Sequence, residues 1–446
     1  MLSRSESRQS EKVKRKRSQK KWMSYSLILI GALVILAGFA LNGKGLPDWI
    51  PSFGGGSGQS ASVGGNGDNG LLPSETRPDS PESEGTANDD DTAGEEVPSE
   101  QPGSEAGETS PPVTEEPTPV QGDGNGEEAV AGGDRVGLSF VGDMLPGEYI
   151  ATIMSQKGYD FPYLKSLLYL SEPDLMAGNL ELPITTGGTP VEGTPYVYKG
   201  SPETVTAMRD AGFDVLSLAN NHALDQGLEG MRDTMKHLTS NGIGYMGVGE
   251  NDTEAFAPLV KEVKGFKVAY IGVSEVIPFA RFKADRDTPG IAETYDTTRT
   301  VAAIAKAQQT ADLVVVMVHW GEDGKDKPEE LQRQYAREYI DAGADLIIGS
   351  HPHVLQGFEK YKGKWIAYSL GNFVYASKPK GAHAETGVLD ASCTKSGDCE
   401  LKFNPMAVTE SQPIPLEGEA AKALFDRLSS ISFGVKLEGD GTVVPD

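Results

Sequence analysis

The chain has 446 residues, with 40 Lys+Arg against 65 Asp+Glu, a formal net charge of −25 and two cysteines. That length excludes a mini-protein, and two cysteines exclude a disulfide-framework fold. The charge is unevenly spread: residues 1–21 carry +7, residues 44–133 carry −17 and residues 134–446 carry −15. Such asymmetry marks separate segments rather than one domain. A nucleic-acid partner is excluded because phosphate neutralisation needs a basic face, and the dense basic run from Lys12 to Lys21 abuts an apolar stretch instead.

Trp22 to Leu41 is 20 residues without a charge, which at about 1.5 Å per helical residue spans the hydrocarbon core of a bilayer. Six of the basic residues crowd its N-terminal side and only Lys44 follows closely. The positive-inside rule therefore predicts a single-pass cell-membrane protein with residues 1–21 cytoplasmic, 22–41 as a transmembrane anchor and the rest extracytoplasmic. A cleaved signal peptide is the competing reading, with Gly38 and Ala40 near a possible cleavage point. No cysteine follows the apolar run, which excludes a lipoprotein anchor.

Residues 42–133 are dominated by Gly, Ser, Pro, Glu and Asp. So little apolar surface cannot offset the entropy of ordering, and the segment is predicted to be a disordered, charge-extended linker. Residues 134–446 then form the exported domain.

Within it, apolar runs at Val136 to Val141, Asp174 to Ala177, Val215 to Ala219, Val268 to Val273, Leu313 to Val318, Leu346 to Ile348 and Trp365 to Leu370 read as buried strands. Helical patterns at Pro202 to Ala211, Leu228 to Asn241, Thr297 to Thr310 and Pro328 to Ala342 lie between them. The alternation predicts an α/β domain with largely covered sheets. After Gly387 the pattern changes to alternating strands, closed by a short helix near Ala420 to Leu428. Cys393 and Cys399 enclose five residues and read as a disulfide closing a hairpin loop in an exported domain.

The unusual polar residues fall just after these strands: Gly142-Asp143, Asn179-Leu180-Glu181, Asn220-Asn221-His222, His319, His351-Pro352-His353 and Gly371-Asn372. Strand C-terminal ends are where α/β sheets build ligand sites. Taken singly, each residue has an ordinary structural role available, a helix cap for Asp143, a turn for Asn221, a buried hydrogen-bonded imidazole for His319. Their recurrence at successive strand ends instead indicates a metal site. A thiolate-free His, Asp, Glu and Asn set suits manganese, iron or zinc. Of the remaining histidines, His237 falls on a helix and His383 in a loop, outside this set.

FVGDML (140–145), NLELPI (179–184), LANNHALDQG (218–227), VHWGED (318–323), DAGADLIIGSHPHVLQ (341–356) and YSLGNFVY (368–375) resemble the bacterial CapA or PgsA family, the poly-γ-glutamate capsule synthesis proteins. That family is in turn similar to calcineurin-like metallophosphoesterases, whose fold is a four-layer α/β/β/α sandwich around two metals. The resemblance implies metal ligation by Asp143, Glu181, Asn221, His319, His351 and His353, with His222 as the acid that protonates a leaving group. It implies Asp143, Glu181 and His353 at one metal, and Glu181, Asn221, His319 and His351 at the other. The first phosphoesterase motif is Asp-x-His, whereas Leu145 stands in the histidine position here. One firm and one weak metal are therefore expected. Lys199 and Asn372 are expected to bind substrate, and Lys199, Arg281 and Lys283 to offer a basic patch to a polyanion. The implied partners are the membrane, other subunits of a capsule polymer synthase or export complex, and poly-γ-glutamate itself. A metal-dependent hydrolase of a phosphoester or amide bond, and a non-catalytic scaffold, are the alternative functions.

Overall fold

Two sheets lie face to face in a computed structural model that describes residues 135–375 and 378–446. The basic N-terminus, the apolar segment 22–41 and the acidic linker lie outside the described residues. Among the described residues no helix is long and apolar enough to cross a membrane.

The first sheet is built on four parallel strands, β1 (Val136–Met144), β2 (Leu175–Leu180), β3 (Val215–Ser217) and β4 (Gly244–Met246). A short ribbon pairs β5 (Val248–Gly249) with β8 (Gly290–Ile291). The second sheet is ordered β11-β12-β10-β9-β7-β6. Its members are β6 (Leu259–Val263), β7 (Phe266–Ser274), β9 (Leu313–His319), β10 (Leu346–Ser350), β11 (Phe358–Tyr361) and β12 (Lys364–Ala367). Strands β7, β9, β10 and β12 are parallel, and the edges β6 and β11 are antiparallel.

The chain then returns to the first sheet. Strand β13 (Asn372–Val374) runs parallel to the end of β1, while β14 (Glu385–Cys393) pairs antiparallel with its start. Beyond β14 come β15 (Cys399–Thr409), β16 (Gln412–Pro415), β17 (Val435–Leu437) and β18 (Thr442–Pro445), all antiparallel.

Side-chain alternation along these strands sorts the apolar residues into layers. Leu138 and Phe140 of β1 meet Val315 and Met317 of β9 between the sheets. Val141 and Met144 face the opposite way, toward α1 (Glu148–Lys157), α2 (Leu167–Ser171), α3 (Glu203–Ala211) and α4 (Gly227–Ser240), which cover the outer face of the first sheet. Val314, Val316 and Val318 pack on the outer face of the second sheet, with α5 (Asp252–Ala255), α6 (Thr298–Gln308) and α7 (Glu330–Asp341). Because both faces are covered there, central strands such as β9 are continuously apolar, whereas β6 and β15 alternate. Leu424, Phe425 and Leu428 of α8 (Gly418–Ile431) join the layer between the sheets.

Strand boundaries differ from the sequence expectation where the polar residues begin. Asp143 and Asn179 do not follow their strands but lie inside them: Asp143 pairs in register with Asn179 of β2 and with Asn372 of β13. A polar residue is tolerated there because its neighbours on both sides are themselves polar. The backbones approach closely at this point, and a Cβ at Gly142 would collide with the carbonyl oxygen of Gly371, so position 142 takes glycine.

Cys393 and Cys399 are cross-strand partners at the tip of the β14–β15 hairpin and form a disulfide. The loop it closes is short, so loop-closure entropy limits its contribution to about 2 kcal/mol. The Cys393→Ser/Cys399→Ser variant is expected to lose about that much stability in denaturant unfolding and to keep native circular dichroism.

Candidate metal centre

The C-terminal ends of the parallel strands of both sheets converge, and six side chains meet there. Asp143 is fully buried at the end of β1. Its Oδ1 accepts from Asn179 Nδ2 at 2.8 Å and its Oδ2 from the His351 backbone N–H at 3.2 Å. Glu181 follows β2, fully buried, with its N–H bonded to the Met144 carbonyl at 3.0 Å. Neither of its carboxylate oxygens has a hydrogen-bond partner.

His319 is the last residue of β9 and is 1% exposed. Its Nε2 lies 2.8 Å from Asn221 Oδ1 and 3.4 Å from Glu181 Oε1, and its Nδ1 lies 3.1 Å from Ser350 Oγ. His351 and His353 follow β10 in a loop where both adopt left-handed backbone, φ +99° and +56°. Non-glycine residues pay of order 1–3 kcal/mol each for that conformation, which surrounding structure must enforce. His353 Nδ1 sits 2.9 Å from Asn372 Oδ1 and 3.4 Å from Asp143 Oδ2, and its Nε2 is 3.7 Å from Glu181 Oε1. His351 Nδ1 is buried without a partner.

Asn372 clamps this loop from two directions: Oδ1 faces the His353 imidazole, and Nδ2 donates to the His353 carbonyl at 2.9 Å and the His383 carbonyl at 3.1 Å. The His383 ring joins it, with Nδ1 3.2 Å from the same His353 carbonyl. His383 thus belongs to the support of the site, although sequence position alone put it in an unrelated loop. Lys199 is exposed, and its carbonyl lies against Gly147 at the start of α1.

His222 is held differently. Its Nδ1 is 2.8 Å from Asp225 Oδ2, which also accepts the Tyr198 N–H at 2.7 Å. Asp225 was not among the residues read from the sequence, though its place three residues after His222 was a usable signal.

Two groups have donor atoms mutually within 4.8 Å: Asp143 with Glu181 and His319, and Glu181 with His351 and His353. Glu181 belongs to both. The resemblance implied a different division, with Asp143 beside His353 and His319 beside His351, but the 3.4 Å approach of His353 to Asp143 links the groups into one cluster. Leu145 contributes no donor: its side chain is buried in the apolar layer beneath α1–α4.

The electrostatics are those of two buried carboxylates that draw positive charge to their neighbours. Burial, together with the Asp143 charge, pushes the Glu181 carboxyl well above its usual range. Burial acts on Asp143 in the same sense, but the His353 hydrogen bond and charge, with the Asn179 and His351 donors, outweigh it and hold Asp143 low. Burial and neighbouring histidines push His319 well down and His351 to about 4. Burial opposes protonation of His353 as well, yet Glu181 and Asp143 raise it to about 10.

A divalent cation fits these residues. It would pair the orphaned Glu181 oxygens, use the unpartnered His351 nitrogen and offset two buried carboxylates, whose isolation costs several kcal/mol. The all-nitrogen-and-oxygen donor set suits a borderline or hard ion. A separate cavity of about 600 Å³, lined by Tyr245, Met246, Val248 and Leu259 among others, includes none of these residues.

Fold and site together define an α/β protein with a candidate divalent-metal centre at its strand ends. Residues 137–377, more than half of the chain, match the family described as bacterial capsule synthesis protein PGA_cap, and the chain belongs to that family. It is 34% identical over 293 residues to the PGA biosynthesis protein CapA of Bacillus subtilis, covering 65% of this chain and 76% of that one. It is 33% identical over 295 residues to the capsule biosynthesis protein CapA of Bacillus anthracis, covering 64% and 70% respectively. Among solved structures, a 5'-nucleotidase from Candida albicans aligns at 13% identity, covering 61% of this chain and 52% of that one, with a TM-score of 0.35, too low to add to the fold assignment.

Two expectations follow. Asn372→Ala should weaken metal binding roughly tenfold or more, the usual cost of losing a residue that orients a ligand, as measured by chelator competition; unchanged affinity would show that the clamp does not matter. Because His353 stays protonated up to about 10 and a metal ligand must be deprotonated, metal uptake at neutral pH should release at least one proton. Affinity should therefore rise as pH rises toward that value. Calorimetry in buffers of different ionisation enthalpy counts the protons.

Proposed function

We propose that this chain is a membrane-anchored, extracytoplasmic component of poly-γ-glutamate capsule synthesis or export, working through a divalent-metal site. The observation that carries the reading is the Glu181-centred cluster in a chain of the capsule synthesis family. The names of the Bacillus relatives support the polymer assignment, and the uncharged run from Trp22 to Leu41 after a basic preamble supports the anchor.

Asp143, Glu181, Asn221, His319, His351 and His353 hold the ion in this reading, manganese, iron or zinc by the chemistry of the donors. When bound, such a cation polarises a carbonyl or phosphoryl oxygen and lowers the pKa of water. The chain supplies the rest. Asp225 accepts from His222 Nδ1, which orients the ring so that, in its protonated form, the Nε2–H can pass a proton to a leaving group. Asn179 and the His351 N–H hold Asp143 in place, while Asn372 and His383 fix the His353 peptide.

Lys199 stays exposed for an anionic substrate. The other two cations suggested for that role are otherwise engaged: Lys283 pairs with the buried carboxylate of Glu293, and Arg281 lies 3.9 Å over the Phe279 ring. A second reading, a scaffold that binds metal and polymer without turnover, is favoured by Leu145, which leaves the cluster one imidazole short of the phosphoesterase pattern.

Deleting the gene should abolish surface poly-γ-glutamate. Wild-type chain should restore it, whereas Asp143→Asn or His351→Ala chain expressed at equal level should not. Normal polymer in the deletion strain would overturn the capsule role. Full restoration by both variants would overturn the role of the metal site within it.

A further inference from the structure

Two tyrosines stand over the metal centre and take no part in the chemistry described above. The Tyr198 ring packs 4.7 Å from the His222 ring, and the Tyr375 ring packs 5.2 Å from the His353 ring. These histidines come from different sheets, so the two phenols flank the cluster. Both are half-buried. Among the described residues neither hydroxyl is hydrogen-bonded to the protein, so both can donate to a ligand.

Their placement is enforced. Tyr198 is anchored through its backbone on both sides: its N–H donates to Asp225 Oδ2 at 2.7 Å, and its carbonyl accepts from Gln226 Nε2 at 3.1 Å. The carboxylate that orients His222 therefore also positions Tyr198. Tyr375 directly follows β13, whose Asn372 clamps the His353 loop.

The features continue outward from each tyrosine. Tyr196 stacks on Tyr198 with ring planes 5° apart and is 63% exposed, an unusual exposure for a large aromatic face. Lys199 follows Tyr198, and Lys378 lies three residues beyond Tyr375 with its ammonium 5.1 Å over the Tyr149 ring. Both lysines are exposed, and among the described residues neither meets a carboxylate.

We infer that Tyr198 and Tyr375 form a paired-phenol subsite that grips carboxylates of an anionic γ-linked glutamate chain on either side of the metal centre, a ligand class that rests on the function proposed above. Neutral hydroxyl donors suit this task in a domain whose own charge is −15, because they bind an anion by hydrogen bonds directed at its oxygens. A phenol and a nearby exposed lysine in each segment, Tyr198 with Lys199 and Tyr375 with Lys378, match a ligand with repeating anionic groups better than one with a single charged head. The exposed Tyr196 face is an apolar platform for the methylene pairs between those groups.

The test uses the full-length, metal-loaded protein and a synthetic γ-linked glutamate decamer as probe, with affinity read by calorimetry and bound metal by elemental analysis. Tyr198→Phe and Tyr375→Phe should each weaken decamer binding about tenfold, the usual effect of deleting a hydrogen bond to a charged group, while metal content stays at the wild-type level. Wild-type affinity in both variants would overturn the subsite and leave the proposed function standing. Loss of metal in the variants would also overturn it, since the tyrosines would then belong to the ion's own shell. Failure of the wild-type protein to bind the decamer would overturn the proposed ligand class itself.

Discussion

A buried carboxylate with no hydrogen-bond partner, set where the ends of β1, β2, β9 and β10 come together, is the constraint on which the rest of this structure depends. The Glu181 carboxylate is fully buried and accepts no hydrogen bond, and Asp143 lies within the same cluster. Two carboxylates in so little space, both removed from water, are unfavourable unless a positive charge joins them. In the protein alone that charge is a proton on His353, which the two acids hold there to about 10. A divalent cation does the same work with a denser charge and releases the imidazole to act as a ligand. Raised acid, lowered His319 and His351, and raised His353 are one electrostatic statement seen from four residues.

The support around the cluster follows from this strain. Left-handed backbone at His351 and His353 is unfavourable, and the Asn372 and His383 donors converge on the one carbonyl that fixes the loop. Asn372 reaches it because β13 runs beside the end of β1 in register with Asp143. The glycine at 142 lets those backbones come together, since any side chain there would meet Gly371. Sheet pairing thus places Asp143 and His319 directly, and the segments after β2, β3 and β10 carry Glu181, Asn221, His351 and His353.

Much of this was legible in the sequence, and the limits have physical causes. Strands such as Leu313–His319 were readable because both faces of each sheet are covered, which makes the runs uniformly apolar. The polar residues at their ends were readable because Asp143, His319 and His353 recur at successive strand ends, a pattern that helix caps and turns do not produce. Strand ends were misplaced at Asp143 and Asn179, since a polar residue paired with polar neighbours looks, in one dimension, like the start of a loop. His383 and Tyr375 were not assigned to the site because their contacts with His353 depend on the chain returning to the first sheet after β12. Asp225 was within reach, standing in the same short motif as His222. The net charge of −25 also resolves by position: residues 1–133 sum to −10 and residues 134–446 to −15, and within the latter two of the acidic groups form the cluster that calls for a cation.

The most direct test of the central claim is the metal content of purified full-length protein after equilibrium dialysis against manganese, iron and zinc in turn. At least one of these ions should remain bound near one equivalent per chain in the wild type and should be lost from the Asp143→Asn/Glu181→Gln variant. Wild-type protein that retains none of the three, or a variant that retains as much as the wild type, would contradict the account.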